Sequence, residues 1–185
     1  MKIPVKLFNG QVLPKVIQKG DWIDIATTSE LNLQGPTANT LKRKRSNKQD
    51  VSVREVIFHP TFTSLDMAMA LPDGYEAIIV PRSSTFNKYG IDLGNTIGVI
   101  DGSYRGNKDI WGAMIKPYLT TVIPAKTRLF QFRIQLSQKA TIWQKIKWLF
   151  WNGKIEFVEV NDLGNQNRQG FGEGTKYLDH APVKN

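Results

Sequence analysis

Cysteine is absent from this chain of 185 residues, and histidine occurs only twice. The absence of cysteine excludes disulfides and thiolate metal sites, and it suits a reducing compartment. No apolar run approaches the roughly 20 residues that a membrane-spanning helix needs. The N-terminal stretch carries charge at Lys2 and Lys6, too early for a secretory signal. We therefore expect a soluble, cytoplasmic protein with no membrane partner.

Several common nucleotide and metal motifs are also missing. The sequence contains no phosphate-binding loop of the form G-x-x-x-x-G-K-[ST], which excludes P-loop chemistry. His59 and His180 lie in no metal-ligand spacing. The glycine-rich residues 170–174 are followed by too few residues to build a dinucleotide-binding helix and strand.

Positive charge is in excess, with a formal net charge of +9 and a pI near 9.8. Such a balance favours polyanionic ligands and weak nonspecific binding to nucleic acid. Part of the excess lies in the run Lys-Arg-Lys-Arg at residues 42–45, inside a polar stretch. This composition predicts a solvated, flexible basic loop at about residues 35–50, with a nucleic-acid tether as the alternative.

Short apolar segments separated by turn residues run along most of the chain. Many have apolar side chains at every second position, and they cover residues 53–58, 64–71, 75–80, 96–100, 110–115, 120–123 and 129–136. This pattern predicts one all-β domain, a sandwich or barrel.

The exception is an amphipathic helix at about residues 141–151, which Asn152 and Gly153 are expected to end. Its apolar face is expected to pack on the protein, with a membrane-surface or nucleic-acid element as the alternative.

The most informative stretch is residues 98–106, Gly-Val-Ile-Asp-Gly-Ser-Tyr-Arg-Gly. Gly98 allows a flat base to approach the backbone. The carboxylate of Asp101 can accept a proton from water, and the ring of Tyr104 can lie against a sugar. The alternatives are a turn aspartate bound to its own backbone and an ordinary cross-strand aromatic.

With Asn95, this stretch reads N-x-x-G-V-I-D-x-x-Y-R-G and resembles the third signature motif of the homotrimeric dUTP pyrophosphatases, the dUTPases. Other segments resemble that family's remaining motifs in the family's order: residues 20–24 the first, 81–84 the second, 128–131 the fourth and 170–175 the fifth. The second, Pro-Arg-Ser-Ser, is also similar to that of the related dCTP deaminases. The first motif is expected to be a turn into a strand that ends on Asp24.

The resemblance implies a distorted jelly-roll-like subunit that forms a homotrimer. Residues 1–160 would form the β domain, and residues 161–185 a mobile tail that closes a neighbouring subunit's site. The implied reaction is magnesium-assisted hydrolysis of dUTP to dUMP and pyrophosphate. Two alternatives stay open: a dCTP deaminase or bifunctional enzyme, and a non-enzymatic regulatory or nucleic-acid-binding protein on the same scaffold.

The resemblance also implies a role for each matching residue. Asp101 would be the general base, and Tyr104 would pack against the deoxyribose. The uracil edge would pair with Asn95 and with the backbone of Gly98 and Ile100. The phosphates would be contacted by Arg82, Ser83, Ser84 and Gln131.

The remaining implied roles concern the metal and the tail. Mg²⁺ would be carried mainly by the triphosphate, and Asp24 would orient a magnesium-bound water or Arg82. Arg128 would brace the strand and the subunit contact, and Phe171 would stack over the uracil. The tail departs from the family pattern, because Glu173 stands where serine is usual. Whether Arg168 and Thr175 bind the γ-phosphate therefore stays open.

Overall fold

The computed structural model describes residues 1–16, 20–44, 50–151 and 153–168. Most of these residues lie in short strands. The elements are β1 Lys2–Leu7, β2 Ile23–Ala26, β3 Leu31–Leu33, β4 Thr37–Lys44, β5 Asp50–Ile57, β6 Thr61–Ser64, β7 Met67–Met69, β8 Tyr75–Pro81, α1 Thr85–Tyr89, β9 Ile91–Leu93, β10 Gly98–Ile100, β11 Gly112–Pro117, β12 Thr121–Ile123, β13 Arg128–Leu136, α2 Ile142–Leu149 and β14 Glu156–Glu159.

A four-stranded antiparallel sheet with the order β10-β8-β13-β2 contains four of the predicted site residues, Asp24, Gly98, Ile100 and Gln131. Strand β13 is its longest member, and Phe130 and Phe132 alternate toward the core as the period of two requires. The pairing register places Gln131 between Val80 of β8 and Asp24 of β2. The sheet therefore brings parts of the first, second and fourth motifs together at one end.

The other strands enclose one apolar core around that sheet. They form the sheets β14-β1-β7 and β6-β11-β9 and the pairs β12-β3 and β4-β5. Trp111 is fully buried, and its ring meets Phe132 edge-on with centroids 5.3 Å apart. Burying a large apolar side chain contributes roughly 1.5–3 kcal/mol. The mostly-β architecture predicted from the alternating segments is confirmed.

Some elements differ from those predicted. Each predicted strand is present with shifted bounds, but β1, β3, β4, β9, β14 and α1 were not predicted. Pro4 lies within β1, and a proline usually argues against a strand with neighbours on both sides. Helix α1 has only five residues, too few to show a helical period. Strand β2 continues past Asp24 to Ala26 rather than ending on the aspartate.

The basic loop predicted at residues 35–50 is largely a hairpin instead. Strands β4 and β5 pair antiparallel from Thr37 opposite Ile57 to Lys44 opposite Asp50, and residues 45–49 lie outside the described residues. The ladder satisfies the backbone donors and acceptors without requiring an apolar face. A polar strand of this kind leaves no alternating apolar pattern to detect in β4.

Helix α2 confirms the predicted amphipathic helix. The predicted packing of its apolar face on the protein is wrong, because the helix is turned the other way. Thr141 caps its N-terminus in a capping box with Gln144. The helix contacts the protein through Trp148, whose ring centroid is 5.6 Å from that of Tyr75. Its apolar face, which was expected to pack on the protein, is exposed. Neither helix of the described residues is long and apolar enough to cross a membrane.

Candidate active site

Strand β10 is the edge strand of the central sheet and pairs with β8 alone. One row of its backbone N–H and C=O groups therefore faces away from the sheet. A side chain on Gly98 would crowd Ile79, because a Cβ there would lie 3.3 Å from the Cβ of Ile79. Glycine at this position keeps the space beside the strand open.

A cleft of about 420 Å³ lies beside this edge. It is lined by Asn95, Gly98 and Ile100, the three residues expected to bind uracil, with Phe62 and Met114 among its apolar walls. The volume is within the range of small-molecule sites, which runs from about 300 to 1,000 Å³. The structure thus brings the predicted base-binding residues together around one cavity.

Asp101 follows β10 directly, and its side chain is 52% exposed. Its Oδ1 accepts hydrogen bonds from the backbone N–H and the hydroxyl of Ser103, both at 2.8 Å. Its Oδ2 lies 3.4 Å from Nη1 of Arg168. One oxygen of the carboxylate therefore binds the turn that follows it, as in a turn aspartate. The other oxygen faces a half-exposed arginine.

The same contacts lower the pKa of Asp101 below the ordinary value for an aspartate. The backbone hydrogen bond from Ser103 has the largest effect, followed by the hydrogen bond from its hydroxyl. Partial burial opposes them, and the charges of Arg168 and Lys139 add to the lowering. The carboxyl group is accordingly ionised at neutral pH, the state that a general base requires.

Tyr104 closes the turn after Asp101. Its backbone N–H donates to the carbonyl of Asp101 at 2.9 Å, and its hydroxyl donates to the carbonyl of Ile110 at 3.0 Å. The residue is only 9% exposed and belongs to the core. These contacts fix the ring, and its contact with deoxyribose stays a prediction.

Residues 161–168 lie against the loop that follows the third motif in the same chain. Asp109, which is 1% exposed, accepts hydrogen bonds from the N–H of Gly106 at 2.7 Å and from the N–H of Arg168 at 3.0 Å. The side-chain oxygen of Asn167 accepts from the N–H of Lys108 at 2.7 Å. These bonds hold the backbone of Arg168 close to the candidate base.

Asp109 and Asn167 were not among the predicted site residues. Single aspartates and asparagines are common in turns, so neither stood out, and their partners are 59 residues away along the chain. The predicted Phe171, with Glu173 and Thr175, lies outside the described residues.

A second polar cluster is centred on Asp24. Its Oδ1 lies 2.8 Å from Nε of Arg82, and its Oδ2 lies 3.2 Å from Nη1 of Arg128. The Asp24 side chain is 18% exposed. Both carboxylate oxygens thus face guanidinium groups, and the contact with Arg82 is compatible with one of the two roles expected from the sequence, the orientation of Arg82. The action of Asp24 on a magnesium-bound water stays a prediction.

The other predicted phosphate-binding residues lie near this cluster. The Nε2 of Gln131 donates a long hydrogen bond, 3.3 Å, to the carbonyl of Pro81. Ser83 and Ser84 follow Arg82 in the turn before α1, and the Ser84 side chain makes no capping hydrogen bond. Hydroxyl, amide and guanidinium donors, the groups that bind phosphate oxygens, therefore occur together at the end of β8.

The two clusters are far apart within one chain. Ile100 pairs with Ala77, so Asp101 lies level with Glu76, six residues before Arg82 along β8. At about 3.3 Å per residue this separation is roughly 20 Å. One chain does not bring the candidate base and the arginine cluster to the same phosphate.

The described residues hold no group of three or more histidine or acidic side chains that could bind a metal ion. Asp24 already faces two guanidinium groups. A magnesium ion would therefore need oxygen ligands from the substrate phosphates, which suits its preference for phosphate oxygens and water.

Comparison with known proteins decides the family. The dUTPase family model matches residues 46–131. Over 178 residues the chain is 33% identical to the SPbeta prophage-derived deoxyuridine 5'-triphosphate nucleotidohydrolase YosS of Bacillus subtilis (strain 168), covering 95% of this chain and all of that protein. The chain belongs to the dUTPase family.

Solved structures show the same dUTPase-like β fold. The dUTPase from Streptococcus mutans superposes with a TM-score of 0.56 at 18% identity, over 75% of this chain and 98% of that chain. The dUTPase from phage phi11 of S. aureus gives a TM-score of 0.55 at 15% identity, over 76% and 93%. The fold predicted from the motif resemblance is confirmed.

Proposed function

We propose that this dUTPase hydrolyses dUTP to dUMP and pyrophosphate, with Asp101 as the general base. The observation that carries the proposal is the edge of β10, which borders a cleft of about 420 Å³ and leads directly into an ionised carboxylate. The full-length match to a protein named as a deoxyuridine 5'-triphosphate nucleotidohydrolase supports it.

Base recognition is assigned to the open edge of β10 and the amide of Asn95. Uracil and cytosine differ at the base edge, since cytosine presents a donor where uracil presents an acceptor. A fixed set of backbone groups that pairs with uracil would leave buried polar groups unpaired with cytosine. Tyr104, fixed by its hydroxyl bond to Ile110, would pack against the deoxyribose and leave no room for a 2′-hydroxyl.

The chemical step needs a water in line with the bond between the α-phosphorus and the bridging oxygen. The Oδ2 of Asp101 would take a proton from this water. The oxygen of the water would attack the α-phosphorus at the same time, and pyrophosphate would leave. Ser103 occupies Oδ1 with two hydrogen bonds, so Oδ2 is the oxygen assigned to the water. Arg82, Ser83, Ser84 and Gln131 would bind the phosphate oxygens. Magnesium, when bound with the triphosphate, offsets the negative charge on those oxygens.

The separation of the two clusters supports an assembly. Groups that act on one triphosphate must lie within reach of it, directly or through one water, whereas Asp101 and Arg82 are about 20 Å apart along β8 in one chain. We therefore assign the β10 edge and Asp101 of one subunit and the arginine cluster of another to each site of a homotrimer. The tail beyond residue 168 would come from the third subunit.

A nucleotide panel with magnesium tests the reaction. We expect pyrophosphate release from dUTP, little from dCTP, dTTP or UTP, and no ammonia from dCTP. Ammonia release from dCTP would favour a deaminase or a bifunctional enzyme. Steeply salt-dependent DNA binding without turnover of dUTP would favour a non-enzymatic protein.

A mixing experiment tests the shared site. Asp101→Asn and Arg82→Ala chains should each be nearly inactive alone. Refolded together in equal amounts, they should regain about one quarter of wild-type activity, because a site made by two subunits receives both intact residues in about one case in four. No regain on mixing would place both residues in sites made by a single chain.

A further inference from the structure

Helix α2 presents an apolar face to solvent. Leu149 is 77% exposed and Phe150, which follows the helix, is 81% exposed. Ile142, Trp143 and Ile146 are exposed as well. At about 100° per residue these five side chains share an arc of roughly 120°. They therefore form one continuous stripe, named here the α2 face.

The opposite side of the helix attaches it to the protein. Trp148 packs against Tyr75, and Nε2 of Gln144 donates to the carbonyl of Asp73 at 2.6 Å. Both residues lie on the side of the helix diametrically opposite the centre of the α2 face. The face is thus held outward by the way the helix is attached.

Positive charge borders the α2 face on both flanks. Lys145 and Lys147 project about 40° beyond its two edges. The sequence contains no aspartate or glutamate from residue 138 to residue 155, whereas Lys139 and Lys154 also fall in this range. Lys145 and Lys147, with no acidic residue in this range of the sequence, favour an anionic partner.

We propose that the α2 face docks on the surface of a bilayer that contains anionic lipids. An outward stripe with Trp, Phe, Leu and Ile, flanked by lysines, has the composition of a helix that lies in the interface between headgroups and acyl chains. The lysine stems reach back to the phosphates while the apolar stripe enters the acyl boundary. Eight residues span about 12 Å, so the helix lies in the plane of the surface.

The attachment of α2 places this surface next to the candidate active site. Asp73, whose carbonyl accepts from Gln144, also pairs through its carboxylate with Arg105 of the third motif at 2.5 Å. The α2 face itself contains no residue assigned to substrate. Docking therefore leaves the hydrolytic residues in place, and lipid binding can be tested separately from turnover.

Vesicle co-sedimentation and tryptophan fluorescence with the full chain test the proposal. We expect binding and a blue shift with vesicles of phosphatidylcholine and phosphatidylglycerol, reduced by salt, and no binding to phosphatidylcholine alone. Leu149→Ser with Phe150→Ser should weaken binding roughly 100-fold, from the apolar area lost. Lys145→Gln and Lys147→Gln should each weaken it about fivefold. Val122→Ser, an exposed apolar residue on β12, is the matched control and should bind as wild type.

Several results would overturn the proposal. Equal binding of the wild type to both vesicle types, or none to either, excludes an anionic bilayer as the partner. A changed subunit number for the Leu149→Ser, Phe150→Ser variant in sedimentation would make the face a contact between copies. Loss of duplex DNA binding instead of lipid binding would make it a nucleic-acid surface. The lysine variants change no apolar residue, so they still test lipid binding if the double variant folds poorly. The rate of dUTP turnover should be unchanged in all variants.

Discussion

Asp101 and Asp24 are two carboxylates of the candidate site that the protein holds in different ways. Asp24 is mostly buried, and each of its oxygens faces a guanidinium group. Asp101 is half-exposed; Ser103 donates two hydrogen bonds to one oxygen, and the other oxygen lies 3.4 Å from the guanidinium of Arg168. The structure thus fits the proposed roles, in which Asp24 orients arginines and Asp101 takes a proton through its second oxygen.

Replacing the base should have the largest effect. We expect Asp101→Asn to lower kcat by roughly 100- to 10,000-fold, because general-base catalysis contributes about that much. dUTP binding should persist, since the uracil contacts come from β10 and Asn95. Steady-state kinetics and a binding titration with a non-hydrolysable analogue measure the two quantities. Glu30→Gln, at an exposed carboxylate that belongs to neither cluster, is the matched control. An Asp101→Asn enzyme of near-normal rate would end the assignment.

Removing the charge of Asp24 should have the next largest effect. Asp24→Asn leaves Arg82 and Arg128 without their carboxylate partner, so the Arg82 side chain is no longer held. A displaced phosphate-binding group costs up to roughly 100-fold in rate, and we expect kcat/KM for dUTP to fall by about tenfold to 100-fold, with KM raised. Unchanged kinetics would show that Arg82 is not held for the substrate.

The difference between these two carboxylates was only partly predictable from sequence. The strand end and turn around Asp101 are local, so Gly98, Asp101 and Tyr104 carry their spacing in the sequence itself. The bonds from Asp109 to Arg168 join positions 59 residues apart and leave no local pattern. Likewise the period of α2 showed that one face is apolar, but not that Trp148 and Gln144 would attach the other side.

Removing one hydrogen bond from the base should change the pH dependence rather than the neutral rate. The Ser103 hydroxyl stabilises the ionised form of Asp101 and lowers its pKa, so Ser103→Ala raises that pKa toward the ordinary value. The acid limb of kcat/KM should therefore move to higher pH, while the neutral plateau stays within about twofold. A profile from acid to neutral pH measures the shift. If the acid limb of kcat/KM did not move, a group other than Asp101 would determine its position.

The same pKa has a consequence for stability. A carboxyl group whose pKa is lowered on folding stabilises the folded state above its unfolded pKa, and this contribution is lost as the pH falls through the folded pKa. Ser103→Ala should therefore narrow the difference in unfolding temperature between acid and neutral pH. A difference as wide as in the wild type would show that the hydroxyl bond does not act in solution.

Arg168→Gln should give the smallest change, a shift of the acid limb in the same direction as Ser103→Ala but less. The guanidinium lowers the Asp101 pKa less than either bond from Ser103, and both side chains are about half-exposed, so water and salt screen the pair. Lys139→Gln, which removes the other nearby cation, is the comparison variant and should shift the acid limb in the same way as Arg168→Gln. If Arg168→Gln instead raised KM for dUTP strongly while the limb stayed in place, the guanidinium would leave Asp101 for the phosphates during catalysis. Arg168 would then pair with Asp101 only in the absence of substrate. Asp109 would hold the backbone of this substrate-binding arginine through its N–H.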